Sequence, residues 1–300
     1  MPEARRPKNP RRPATPSRSR KGKSKSKSKS KLKKPPRTAR TADRHELYQL
    51  SVQAPDVDAP FIDRYFKRYV GRPAITLRED FCGTAHFASY WVKMNRSHRA
   101  IGVDLDAKTL AWGIEHNIKA MLDDEQRTRI ELFEADVRDV QCAKADIVTV
   151  FNFSYSLLTT RDDLRGYFAR VRDGLNPGGL LMIDSWGGPE TIDERVETRR
   201  VEDFTYVWDQ VRFDPVTHHS DCRIHFRFKD GTELKNAFRY QWRQWTLPEL
   251  QELMVEAGFK DVHILWEGTD PETLEGNGVY RRVARGDADP SWIAYVVGQA

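Results

Sequence analysis

The sequence predicts an α/β fold, a doubly wound and mostly parallel sheet that carries an antiparallel β insert. Three observations predict it. Short β-rich runs alternate with helix-like stretches from residue 74 to residue 186, the pattern of a parallel sheet with helices on both faces. Residues 199–245 then switch to longer strand-like runs joined by turn residues. Charge also divides the chain. Residues 1–44 hold 18 Lys and Arg against two acids, Glu3 and Asp43, a net of +16, which leaves −10 on the rest of a chain whose total is +6.

The first segment stands outside the fold. Residues 1–44 contain "KGKSKSKSKSKLKKPP", with Met1 and Leu32 as the only large aliphatic side chains. Such a segment buries too little apolar surface to offset its ordering entropy, so disorder is expected. It is either a solubilising tail or a sequence-blind electrostatic anchor for nucleic acid or an anionic surface. No aromatic residue interleaves with its lysines, which argues against base stacking. Cys82, Cys142 and Cys222 are too far apart for a metal or redox motif, and unpaired thiols suit a reducing, cytoplasmic setting. No apolar run approaches the roughly 20 residues that cross a bilayer, and no apolar leader opens the chain.

From His45 the composition becomes globular. "HELYQLSVQ" and "APFIDRYFKRYV" predict two helices. Strands follow at 74–80, 100–106, 130–137, 146–153 and 179–186, and most are separated by helices such as "HFASYWVKM" and "RDDLRGYFARVRDGL". The insert, spanning 187–245, is expected to hold "DFTYVWDQVRF", "CRIHFRF" and "ELKNAFRYQWR", with turns at "DPVTHH" and "KDG". Thr246, Pro248 and Gly258 frame one more helix. The last two strands, "VHILWEG" and "WIAYVVG", flank a long loop.

Ligands of such sheets bind beyond the carboxyl ends of the strands. The first end reads Glu79-Asp80-Phe81-Cys82-Gly83-Thr84-Ala85. A dinucleotide loop needs three glycines to close on a pyrophosphate. Here one remains, and two acids would repel phosphate, which suits a ligand with a positive end. The second strand ends at Asp104, 21 residues past Gly83, where an acid can accept ribose hydroxyls. The third ends at Asp136-Val137, where an acid can accept from an exocyclic amine. The ligand so outlined has a cationic head, a ribose and an adenine.

"LREDFCGTA", "GVDLD", "EADVRDV" and "LNPGGLLMID" resemble motifs of the class I S-adenosylmethionine-dependent methyltransferases, over about residues 74–300. "NFSYSLLT", "FRYQWRQWTLPEL" and "WEGTD…EGNGVY" resemble a bacterial-type subgroup, and the insert resembles the lids of small-molecule N-methyltransferases. The resemblance implies a Rossmann-like sheet of seven strands with a reversed final strand, and S-adenosyl-L-methionine as cofactor. It implies that Glu79 begins the glycine loop, that Gly83 with the backbone of Cys82 and Thr84 runs along methionine and ribose, and that Asp104 holds the ribose. Leu105 would lie against adenine, Asp136 and Val137 would take its amine and ring nitrogen, and Phe151 and Asn152 would meet the methionine amine or the acceptor. Phe81 and Ala85 stand where the family often has glycine, and Phe81 asks for a wider turn.

Methyl transfer from a sulfonium is an in-line displacement with a good leaving group, so positioning supplies much of the acceleration. A base is needed only for a protonated nucleophile. Tyr48, Tyr155 and Asp184 are the catalytic candidates, with Asn152 and Trp186 also at the mouth. His218 and His219 read as exposed turn residues, and no cluster has metal-ligand spacing. The aromatic residues of the insert either pack the sheet, line an acceptor pocket or form a dimer surface. The expected acceptor is a small molecule. The alternatives are methylation of RNA or protein with the tail as tether, and a non-catalytic cofactor-binding scaffold.

Overall fold

The computed structural model describes residues 36–273 and 276–300; most of the 1–44 segment expected to be disordered lies outside the described residues. Asp43 opens the first helix, α1 (Arg44–Val52), by accepting the N–H groups of His45 and Glu46. α2 (Pro55–Val70) has proline in its first turn and Gly71 at φ +84° past its end, the expected asymmetry of helix termini. The alternating region follows as β1 (Thr76–Asp80), α3 (His86–Met94), β2 (Arg99–Asp104) and α4 (Ala107–Gly113). A π turn (Ile114–Ile118) leads into α5 (Lys119–Met121), and then α6 (Asp124–Arg127), β3 (Ile130–Glu134), β4 (Ala145–Val150), α7 (Arg161–Asp173) and β5 (Leu175–Gly187) complete it.

The insert holds β6 (Arg195–Val201), β7 (Phe204–Phe213), β8 (His219–Phe228) and β9 (Glu233–Arg243), antiparallel neighbours in that order. The chain returns through α8 (Leu247–Glu256), β10 (Lys260–Thr269), β11 (Gly276–Val283) and β12 (Trp292–Gln299). Thr246 and Glu249 form the capping box of α8.

The main sheet has the order β11-β10-β12-β5-β4-β1-β2-β3. β12 runs antiparallel between β5 and β10, the reversed strand expected. The sheet carries one strand beyond the seven: β11 occupies what reads in sequence as a loop. It is an edge strand exposed along most of its length, so it lacks the hydrophobic alternation by which strands are recognised. The insert likewise gains β6, "RVETRRV", whose inward positions are mostly charged. Residues at the end of the expected 1–44 tail touch the fold. Arg37 pairs with Glu46, Glu202 and Asp203, and the Ala39 N–H donates to Thr232.

Helices α7 and α8 cover one face of the sheet through a core that includes Tyr167, Phe168, Leu250 and Leu253. Helices α2, α3 and α4 cover the other through Ile62, Phe66, Trp91 and Leu110. A third cluster joins Leu47 of α1 to Phe204, Phe226 and Phe228 of the insert. Strand order reverses between β1 and β4, which puts the ligand crevice above the loop that follows β1. No helix among the described residues is long and apolar enough to cross a membrane.

Candidate active site

The loop after β1 is anchored at its start, where the Cys82 N–H donates to the carbonyl of Val103. Phe81, Gly83 and Ala85 then take φ of +56°, +53° and +51°. These are the three positions at which the family often has glycine. The backbone therefore keeps a left-handed turn at all three with a single glycine, and the wider turn expected of Phe81 is absent. A non-glycine residue there costs about 1–2 kcal/mol, and the surroundings hold it in place. The Phe81 ring meets Tyr167 edge-on at 6.1 Å, and Ala85 is fully buried. The Thr84 carbonyl accepts from the Asn117 amide and its hydroxyl from Gln49, both at 2.8 Å. Gly113 lets α4 approach this closely, since a Cβ there would stand 2.3 Å from the Thr84 oxygen. Asn117 lies in the π turn, a helix irregularity frequent at functional sites.

The strand-end acids differ in state. Asp104 accepts the Gly83 N–H at 2.7 Å and the Asp106 N–H at 2.9 Å, so it closes the loop onto β2. A carboxylate offers about four lone-pair sites, which leaves capacity for ribose hydroxyls. Glu79 is buried and accepts the Ala88 N–H at 2.9 Å; it serves the first turn of α3, whose preceding residue, Ala85, provides no side-chain cap. Burial pushes its carboxyl up to about 8, and the nearby Asp104 and Asp80 add to the rise. Asp80 is internally neutralised rather than presented to a cationic ligand. Arg78 grips it at 2.6 and 2.9 Å, and the Tyr167 hydroxyl donates to it at 2.7 Å. Asp136 is paired with Arg138 at 2.7 Å, which holds its carboxyl below the ordinary range. Leu105 is 67 % exposed beside Asp104, an apolar surface suited to a planar ring, whereas Val137 is buried. Cys82 is buried against Gly102, and burial pushes its thiol well up, so it packs and does not react. Asp104 follows Val103, which flanks Asp80 in the β1–β2 register, and stands opposite Glu134, two residues before Asp136. Glu79, Asp104 and Asp136 thus belong to one edge of the sheet.

A cavity of about 870 Å³ opens next to this edge. Its floor is the end of β4 and β5, with Asn152, Phe153 and Trp186, and its roof is the insert. Pleating puts Tyr206 and Trp208 of β7 and Tyr240 and Trp242 of β9 on the same side of the insert sheet. Trp186 meets Trp208 and Trp242 at 6.3 Å each, and Tyr240 stacks on Trp242 at 4.5 Å. Helix α1 forms a wall with Tyr48, Ser51 and Val52, while its Gln49 bonds Thr84 of the loop. One helix therefore touches both the loop and the cavity.

The comparisons bear on this geometry. Residues 81–179, from the loop to the start of β5, match a family described as a methyltransferase domain. Over those residues the chain carries a methyltransferase domain. A Geobacillus sp. (strain WCH70) protein that bears a methyltransferase name is 23 % identical over 233 residues, 76 % of this chain and 91 % of that one. The fold is that of a S-adenosylmethionine-dependent methyltransferase from Clostridium acetobutylicum, at TM-score 0.62 and 15 % identity over 85 % of this chain and 96 % of that one. It is shared with the amino pentose methyltransferase CalS10 from Micromonospora echinaspora, at TM-score 0.61 and 18 % identity over the same shares. The loop fits S-adenosyl-L-methionine, the cofactor that the sequence motifs imply. A Cβ on Gly83 would meet only Thr109 within 4 Å, so the backbone there is open to a ligand.

The methyltransferase does not hold all three catalytic candidates at the mouth. Tyr48 lines the cavity, its ring 4.9 Å from Phe238. Tyr155 is buried in the core, 1 % exposed, and burial pushes its hydroxyl up, away from the range of a useful base. Asp184 is buried below the cavity and accepts the N–H groups of Asn152 and Phe153, both at 2.9 Å. Those two residues have φ of +57° and +60°, so Asp184 clamps a strained corner and is not presented as a base. Phe151 packs between Phe87 and Tyr295, at 5.4 and 5.7 Å. His218 and His219 sit at the β7–β8 turn. Sequence reasoning missed Gln49, Gly113 and Asn117, which act through the loop and carry no chemical signature of their own.

Proposed function

We propose that this methyltransferase moves the methyl group of S-adenosylmethionine to a small molecule held in the aromatic cavity. The observation that carries the reading is the roof: the insert turns its aromatic side onto the ends of β4 and β5 and encloses about 870 Å³, a size suited to a small ligand. A fold shared with an enzyme described as an amino pentose methyltransferase supports the same reading. Gly83 and the backbone of Cys82, Thr84 and Ala85 would border the methionine and ribose, Asp104 would accept the ribose hydroxyls, and Leu105, Asp136 and Val137 would border the adenine. Asn152 and Tyr48 would face the acceptor. S-adenosylmethionine bound there would supply an electrophilic methyl on a sulfonium, with S-adenosylhomocysteine as the leaving group. The protein's part is alignment: the corner clamped by Asp184 fixes Asn152 and Phe153, and the aromatic walls orient the acceptor.

Formation of S-adenosylhomocysteine should be measured with the dialysable fraction of a cell extract and, separately, with the retained RNA and protein. Turnover with the dialysable fraction, abolished in Trp242→Ala, is the expected result. Turnover with the retained fraction alone would overturn the reading.

A further inference from the structure

The segments "WEGTD" and "GNGVY", residues 266–270 and 276–280, take no part in the cofactor loop, yet they pair with each other at the cavity wall. Glu267 of β10 stands opposite Tyr280 of β11. One step beyond the Trp266–Ala294 pair, Ile293 of β12 stands opposite Trp186 of β5. Register partners share a sheet face, so Glu267, Ile293 and Trp186 form one row, with its ends about 10 Å apart across two strand spacings. The Glu267 carboxylate accepts the Gly278 N–H at 2.8 Å and the Tyr280 hydroxyl at 3.4 Å. Gly276 makes room for it, since a Cβ there would stand 2.5 Å from the carboxylate.

Among the described residues, no cation offsets this carboxylate, and burial pushes it up from the ordinary range. Glu190 and Glu197 of the same cavity differ, because Arg195 meets them at 2.8 and 2.9 Å. A half-buried carboxylate without a counter-charge bears a desolvation cost, and a cationic ligand would supply the missing partner. Trp186 lines the same space on the same sheet face, and aromatic faces attract cations.

We propose that Glu267 is a specificity-determining residue and that the acceptor carries a protonated amine, an alkylammonium group held by the Glu267 carboxylate. The inference rests on the reading of the cavity as the acceptor site. It is tested on the full chain saturated with S-adenosylhomocysteine, by following tryptophan fluorescence during titration with benzylamine and with benzyl alcohol, which share a ring and differ in charge. Wild type should bind benzylamine at least about ten-fold tighter, the equivalent of one well-placed charged contact, and Glu267→Gln should erase the preference. Equal affinities, no saturable binding of benzylamine, or a preference that survives Glu267→Gln would each overturn it. Calorimetry with S-adenosylhomocysteine on the same samples separates the two claims. Failure of wild type to bind it sinks the methyltransferase reading, whereas binding without an amine preference sinks this inference alone. Should Glu267→Gln lose cofactor binding through misfolding, the wild-type comparison of the two probes decides.

Discussion

Glu79 carries the clearest pH signature of any single residue. Its carboxyl is pushed from about 4.5 to about 8 by burial, so the folded state keeps a proton that the unfolded chain has released. The stabilising contribution is complete below about pH 4.5 and is lost as pH rises to about 8. The melting temperature of the cofactor-free protein should therefore fall across this window, and Glu79→Gln, which still accepts from Ala88, should flatten that part of the profile. A wild-type profile unchanged by the substitution would contradict the assignment. Asp184→Asn leaves one oxygen for two N–H groups, and the orphaned donor costs about 1–3 kcal/mol. Chemical denaturation should show that loss. The positions of Asp104 and Asp136 were legible in the sequence because strand ends are. The burial of Tyr155 and the clamping role of Asp184 were not, because a side chain's direction past a strand end depends on a left-handed corner at Asn152 and Phe153 that no glycine announces.

Helix α1 links the parts of the molecule at the level of elements. Leu47 is fully buried against the insert, Gln49 and Gln53 hold Thr84 and His86, and Asp43 accepts from Trp112 at 2.8 Å. Leu47→Ala should cost about 2–5 kcal/mol if the helix stays packed. If α1 detaches locally first, the same substitution should raise amide exchange at residues 81–86 well before global unfolding. Unchanged exchange there would show that α1 does not guard the loop. The helices and central strands were readable from periodicity and caps; α3 spans the expected residues 86–94. The two edge strands β6 and β11 were not, since polar edge positions have no core to alternate against.

The whole molecule joins a cofactor loop to an aromatic cavity through one helix, and its ordered structure begins before α1. Arg37 pairs with acids of both α1 and the β6–β7 turn, and a truncation that removes residues 1–35 keeps these pairs. For a small-molecule enzyme, that truncation should leave acceptor turnover unchanged at all salt concentrations, whereas a tethered macromolecular enzyme would lose affinity in a salt-dependent way. The central claim is that Asp104 organises the Gly83 loop into a seat for the cofactor's ribose. It is tested most directly by calorimetry of S-adenosylhomocysteine with wild type and Asp104→Ala. The account predicts saturable binding by wild type and a loss of at least about ten-fold in the variant, as a charged hydrogen-bonding group is removed. Absence of binding by wild type, or equal binding by the two proteins, would contradict it.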